Sequence, residues 1–374
     1  MEVEEADESE EEEGVAIHRY AFNSYRVDRS VRDLLGWKRN NKLQVPDFQR
    51  NYVWTYEQAS RFIDSLLLGL PVPDMFMFKD VDIERGVETY LLIDGLQRFT
   101  TIKQFEEGRY RGADGSEKIF KIGLKSSDWY GKTYADLDDC DKAFFEDYSL
   151  KINVFDSNSA KSEEKKLYMT EIFARINSSA TPLSLQNIRN AVYPGPFTEK
   201  LKSIVDLPEI TKLLEANPSF KKGCKNQEFV LRTLTYYDIT RRLLAGEFKD
   251  ISAYQNKMMA NYMEEANKNT IDFEGHMKLL LESIKGINDA DTLLIKAFRR
   301  GEENGLSGKI HPVTAESVII AMMMGKRLPQ NSESLLEFKK SLREMGDGRS
   351  PFYSSTRDPK NVIARYNKLC EVME

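Results

Sequence analysis

The hydrophobic period of this 374-residue chain changes once, near residue 160, and that change limits the folds open to it. Before it, short apolar runs alternate with stretches of helical spacing; after it, the spacing is helical throughout. Tyr25 to Leu35 reads as a short strand leading into a helix with Val31, Leu34 and Leu35 inward. Leu43 to Arg50 is extended, because Pro46 disfavours helix at the residue before it. Thr55-Tyr56-Glu57-Gln58 is a capping-box pattern opening a helix whose apolar face is Ala59, Phe62, Ile63, Leu66 and Leu67. Gly69, Pro71 and Pro73 end it.

Two strands, Met75 to Phe78 and Thr89 to Ile93, flank a polar loop. Arg109 to Leu124 is predicted to be a hairpin turning at Ala113-Asp114-Gly115, and Leu150 to Phe155 a further strand. Strands with interleaved helices predict an α+β domain over residues 15–158. From Ser162, Met169, Ile172, Phe173 and Ile176 form one stripe; Leu185, Ile188 and Val192 form another behind Ser184 as N-cap. Helical spacing continues at Phe229–Leu244, Tyr254–Ala266, Phe273–Ile284, Leu293–Phe298, Ala315–Met324 and Leu335–Met345, predicting an all-α domain over 159–374.

Composition removes several chemistries. Three scattered cysteines (Cys140, Cys224, Cys370) suit a reducing compartment and offer no paired framework. His18, His276 and His311 lie far apart, so neither a zinc cluster nor the clustered His and Asn of an HNH nuclease is expected. No apolar run reaches the roughly 18 residues of a membrane span. The acidic start lacks the basic and apolar regions of a signal peptide, which makes the cytoplasm the default expectation. Nine of the acidic residues fall within residues 1–13, so the formal charge of −6 hides a body of about +3. Residues 1–14 read as a disordered, solvating tail. A DNA-binding surface is compatible with the body, although Arg241-Arg242 and Arg299-Arg300 are ordinary patterns for a solvated face.

The strand-like run Leu91-Leu92-Ile93 ends in Asp94-Gly95-Leu96-Gln97-Arg98. Gly95 permits a tight turn, and Phe99, Ile102 and Phe105 at helical spacing place the polar residues at a helix N-terminus. Unpaired backbone N–H groups there attract anions, and Arg98 adds a forked cation. Asp94 is a candidate Mg²⁺ ligand or orienter of attacking water, Gln97 a water holder and Arg98 a neutraliser of phosphoryl charge. The competing reading makes Asp94 a turn residue and Arg98 a structural ion pair.

Four strings stand in order: Val45-Pro-Asp-Phe-Gln-Arg-Asn-Tyr-Val-Trp54, Ile63-Asp-Ser-Leu-Leu-Leu-Gly-Leu-Pro-Val-Pro73, Leu92-Ile-Asp-Gly-Leu-Gln-Arg-Phe-Thr-Thr-Ile102, and Phe173-Ala-Arg-Ile-Asn177 leading to Thr181-Pro-Leu-Ser184. Together they resemble the GmrSD-type N-terminal domain, related to the ParB/sulfiredoxin superfamily. The resemblance implies a ParB/sulfiredoxin-like α+β fold that binds, and in some members hydrolyses, nucleoside triphosphates with Mg²⁺ in DNA restriction and anti-phage systems. It implies nucleotide contacts from Gln49, Arg50, Gly95, Arg175 and Asn177 beside Asp94, Gln97 and Arg98, in a site between the two domains, with Trp54 mainly packing. Asp64 and Lys79 would stand behind them. The family hallmark is Asp-Gly-Gln-Gln-Arg, and Leu96 replaces its first Gln. If that Gln positions water or a phosphate oxygen, this chain keeps binding and loses speed of hydrolysis. The alternative is a non-enzymatic module that binds nucleic acid or recruits a separate nuclease or modification-sensing subunit.

Overall fold

The computed structural model describes residues 22–45, 52–82, 86–112, 115–157, 162–176, 184–214, 220, 224–247, 255–289, 312–329, 333–334, 338 and 359–373. The chain divides into two compact units at Val192/Tyr193. Among the described residues the first mixes strands and helices and the second is helical, the order that the change of period predicts; the division falls later than the expected 158/159, because the helices of residues 162–192 go with the first unit. No helix among the described residues is long and apolar enough to cross a membrane.

The first unit is built on a five-stranded sheet. Its strands are β1 (Phe22–Ser30), β2 (Leu43–Gln44), β3 (Met75–Asp82), β4 (Val87–Asp94) and, after a separate hairpin of β5 (Arg109–Arg111) and β6 (Glu117–Ile119), β7 (Ser149–Ser157). Their spatial order is β1-β7-β3-β4-β2. β7 runs antiparallel to β1 and parallel to β3, β3 antiparallel to β4, and β2 parallel to β4.

Four helices supply the packing on one face: α1 (Val31–Arg39), α2 (Tyr56–Leu67), α3 (Leu96–Glu106) and α4 (Asp139–Asp147). Thr55 and Gln58 exchange both capping-box bonds, so α2 starts where its sequence says. All five residues of its predicted face are buried against Met75, Met77, Leu92, Ile152 and Val154 of the sheet. Phe78, Leu91 and Ile93 alternate to the opposite face and are also buried; α5 (Ser162–Ile176) packs against β4. The short α6 (Leu185–Val192) follows, with the Ser184 hydroxyl accepting from the Asn187 N–H at 3.2 Å as an N-cap. It buries Gln186, Arg189 and Asn190 along with Ile188 and Val192, polar residues that the apolar stripe alone does not anticipate.

In the second unit, α7 (Pro196–Ile204), α8 (Pro208–Leu214), α9 (Lys225–Leu244), α10 (Gln255–Asn267), α11 (Phe273–Asp289), α12 (Pro312–Met323) and α13 (Pro359–Cys370) are present. α9 packs against α7, α10, α11, α12 and α13. Of the predicted segments here, Leu293–Phe298 lies outside the described residues, as does nearly all of Leu335–Met345. Arg241 and Arg242 are not simply a solvated face: both pair with Asp238, which is 2% exposed.

Candidate functional site

The Asp94–Arg98 turn joins β4 to α3, and two constraints make Gly95 necessary there. Its φ is +105°, a left-handed conformation. A Cβ at that position would also meet Met75 Cε and Cγ on β3 at 2.9 Å each. The backbone of the turn is thereby drawn against the start of β3.

Arg98 completes the junction. Its Nη2 donates to Asp94 Oδ2 at 2.7 Å, and its Nη1 donates to the carbonyls of Pro73 and Asp74 at 2.7 and 3.1 Å. Its side chain is 10% exposed, whereas that of Asp94 is 43% exposed. One guanidinium therefore ties the end of β4 to the start of β3 through charge-assisted bonds. Among the described residues Asp94 Oδ1 accepts no hydrogen bond, and one Nη2–H and the Nε–H of Arg98 are uncommitted.

Gln97 faces the segment before α2. Its Oε1 accepts from the N–H groups of Val53 and Trp54 at 2.9 and 3.3 Å. Thr101 donates its hydroxyl to the Gln97 carbonyl at 2.7 Å and lies 2.7 Å from the Tyr52 hydroxyl. Burial pushes the Tyr52 phenol up to about 12, so it stays protonated at neutral pH. Trp54 packs edge-on against Phe62 with ring centroids 5.3 Å apart. Leu96, the residue that departs from the hallmark, lays its side chain against the core cluster.

Three polar residues that the turn motif does not announce stand at the same end of the sheet. Arg26 Nη2 donates to both Asp74 carboxylate oxygens at 2.8 and 2.7 Å, and Asn153 Nδ2 donates to Asp74 Oδ2 at 3.1 Å. Strand register explains the meeting. Arg26 pairs with Asn153, Asn153 with Phe76, and Phe76 with Asp94, a single row across four strands. The Phe76 and Phe155 rings stack beside that row, with centroids 6.3 Å apart and 14° between planes. No local motif could have found these residues, since Arg26 and Asn153 lie 48 and 79 positions from Asp74.

The structure thus gathers Asp94, Gly95, Gln97 and Arg98 at one turn. Arg175, on the last turn of α5, is exposed and donates from Nε to Glu171 Oε1 of its own helix at 2.7 Å. Gln49, Arg50 and Asn177 lie outside the described residues. Lys79 sits further along β3, paired with Glu88 at 2.8 Å; the hydrogen bond to that carboxylate raises its pKa. Asp64 is buried on α2, and its Oδ1 has no hydrogen-bond partner among the described residues. Among those residues, no group of three or more His, Cys, Asp or Glu side chains could hold a metal ion by itself. The donor set at the turn, one carboxylate with a free oxygen, fits a Mg²⁺ that arrives already held by phosphates, for which one or two carboxylates suffice.

The turn can therefore offer an anion the N-terminal N–H groups of α3 and the remaining guanidinium donors, with a carboxylate alongside. A comparison with curated proteins finds no match to the chain. Residues 31–194, from the first residue of α1 to just past α6, match the family model of the GmrSD restriction endonuclease, N-terminal domain.

Proposed function

We propose that the first unit binds a nucleoside triphosphate at the Asp94–Arg98 turn and hydrolyses it slowly, in the service of a DNA restriction or anti-phage system. The family match links the chain to restriction systems in general. The observation that carries the nucleotide reading is the combination at one helix N-terminus of a glycine-only turn, a guanidinium fixed by three protein oxygens, and a half-exposed carboxylate. Pre-organised donors of this kind stabilise charge on a phosphoryl group without reorganising at the moment of reaction.

In this reading the phosphates lie over the first turn of α3 and Arg98 keeps its hold on the β3 carbonyls while its remaining N–H groups face phosphate oxygens. Asp94 is the residue that would hold a Mg²⁺, which would neutralise phosphate charge and polarise the transferred group. Gln97 holds the Val53–Trp54 backbone in place and turns its amide nitrogen toward the ligand. Leu96 adds packing where the family hallmark has a polar group, which is the reason for expecting slow turnover.

The test is phosphate release and equilibrium binding for each of the four common triphosphates, with wild type, Asp94→Ala and Arg98→Ala. Binding that both substitutions weaken, with a low rate that Leu96→Gln increases, is the expected outcome. Equal phosphate release by all the proteins, together with no measurable triphosphate binding, would sink the proposal. The packed, apolar Leu96 also favours a second reading, in which the unit binds nucleic acid or a partner without hydrolysis; salt-dependent DNA binding that Arg98→Ala leaves intact would separate it from the first.

A further inference from the structure

A second arginine, Arg26, stands at this end of the sheet with its charge held by a carboxylate, that of Asp74. Arg98 is largely spent: three of its five N–H groups are directed at Asp94, Pro73 and Asp74, and the side chain is buried. An anion of several charges at the turn needs another cation. Arg26 stands at the same end of the sheet, in the row that runs through Asn153 and Phe76 to Asp94, and its guanidinium meets the carboxylate of Asp74, whose main-chain carbonyl Arg98 holds. Its side chain is 51% exposed, so its guanidinium reaches solvent and can turn without disturbing the core.

Asp74 links the two arginines. Its main-chain carbonyl accepts from Arg98, while both oxygens of its carboxylate accept from Arg26. Both contacts come from one nitrogen, Nη2, so the pair lacks the two parallel bonds of a fork-to-fork pair, and a phosphate could take the guanidinium through a fuller set of donors. The pair is partly exposed on both sides, and such pairs are weak enough to exchange. Asn153, which also donates to the Asp74 carboxylate, would keep that group in place when Arg26 leaves it.

We propose that Arg26 is a binding residue for the terminal phosphates of the triphosphate, and that Asp74 competes with those phosphates for it. The proposal rests on the nucleotide-binding reading of the Asp94–Arg98 turn. It assigns Asp74 a role opposite in sign to that of a supporting residue: removing its charge improves binding.

The measurement is triphosphate affinity of the full chain by titration calorimetry over a salt series, with inorganic tripolyphosphate as a second probe. The proteins are wild type, Arg26→Ala, Arg26→Lys, Asp74→Asn, Asp74→Ser and the Arg26→Ala/Asp74→Asn double variant. Arg26→Ala should weaken binding about tenfold or more, with a shallower salt dependence, and Arg26→Lys should fall between it and wild type. Asp74→Asn and Asp74→Ser should each tighten binding by about two- to fivefold, and the gain should vanish in the double variant. Having two substitutions at Asp74 keeps the test open if one of them fails to fold, as judged by its thermal midpoint. Wild-type binding that Arg98→Ala weakens while Arg26→Ala does not would overturn this inference and leave the parent reading standing. Weaker binding in folded Asp74 variants would overturn the competitor role. Absence of triphosphate binding by wild type would remove both readings together.

Discussion

Two arginine–carboxylate pairs, one in each unit, have the same 2.7 Å contact and opposite surroundings. Arg98 and Asp94 meet at the end of a sheet, with the arginine buried and the carboxylate 43% exposed. Arg232 and Glu316 meet between α9 and α12, and there the carboxylate is 2% exposed. Burial works against the Arg232 charge, yet Glu316, with help from Glu228, holds its pKa above the ordinary arginine value. Glu316 Oε1 has no hydrogen-bond partner among the described residues. The first pair keeps an open oxygen at the surface and can take part in binding. The second buries its carboxylate almost completely while Arg232 stays 20% exposed, so the acidic partner is closed to a ligand and serves packing and geometry. Distance alone does not separate a site from a strut; the exposure of the acidic partner does.

The sharpest way to break the contrast is to truncate the buried carboxylate. Glu316→Ala leaves the Arg232 guanidinium, 20% exposed, without its partner; a fully buried pair would lose about 3–5 kcal/mol, and a loss of about 2–3 kcal/mol is expected here. Urea unfolding should show that loss; a change within 0.5 kcal/mol, the ordinary range for surface substitutions, would mean the interior admits water and the contrast is false.

A second test uses protons on the helical unit. His276, on the first turn of α11, is 8% exposed and has its Nδ1 3.0 Å from the hydroxyl of Tyr262 on α10. Burial lowers its pKa, more than the nearby Asp238 and Asp272 raise it. A depressed histidine pKa means that the unfolded chain takes up the proton first. Stability is therefore full above the ordinary histidine value of about 6.5 and falls as pH drops below it. At one pH unit below that value the loss has a ceiling of about 1.4 kcal/mol, and His276→Gln should flatten this part of the curve. Stability curves between pH 7.5 and 5.5 that coincide for the two proteins would refute it.

The smallest effect expected is at the candidate site. Tyr52→Phe removes the hydroxyl facing Thr101, and a net cost of roughly 0.5–1.5 kcal/mol should appear in the unfolding free energy. Triphosphate affinity should change little, because Tyr52 holds α3 against the segment before α2 and does not face the turn. A large affinity change with no stability change would place the phenol in the site itself.

Much of the fold was legible in the chain because its information was local. Thr55 to Gln58 names a helix start; Asp94-Gly95 names a strand-to-helix turn; the unbroken apolar run Leu91 to Ile93 names a strand, which the structure buries on both faces. The strands proved longer than their apolar runs, since backbone pairing at Asp80 to Asp82 continues past the last buried side chain. α4, α7 and α8 were not named from the sequence, although α7 places Phe197, Leu201 and Ile204 at i, i+4 and i+7, a spacing that is legible once sought. The family strings pointed to the turn, and the structure shows how its residues are held there. They did not point to Arg26, Asp74 or Asn153.

By itself the sequence determined the order of elements, the change from mixed to helical architecture, and the position of a turn that only glycine can make. These depend on residues within a few positions of each other, where spacing and backbone preference act directly. The tertiary structure decided which strands are neighbours, and with that the row from Arg26 to Asp94, the sharing of Asp74 by two arginines, and the exposure that distinguishes Asp94 from Glu316. Those are contacts across 48 and 79 positions, set by how strands pair rather than by what stands beside each residue in the chain.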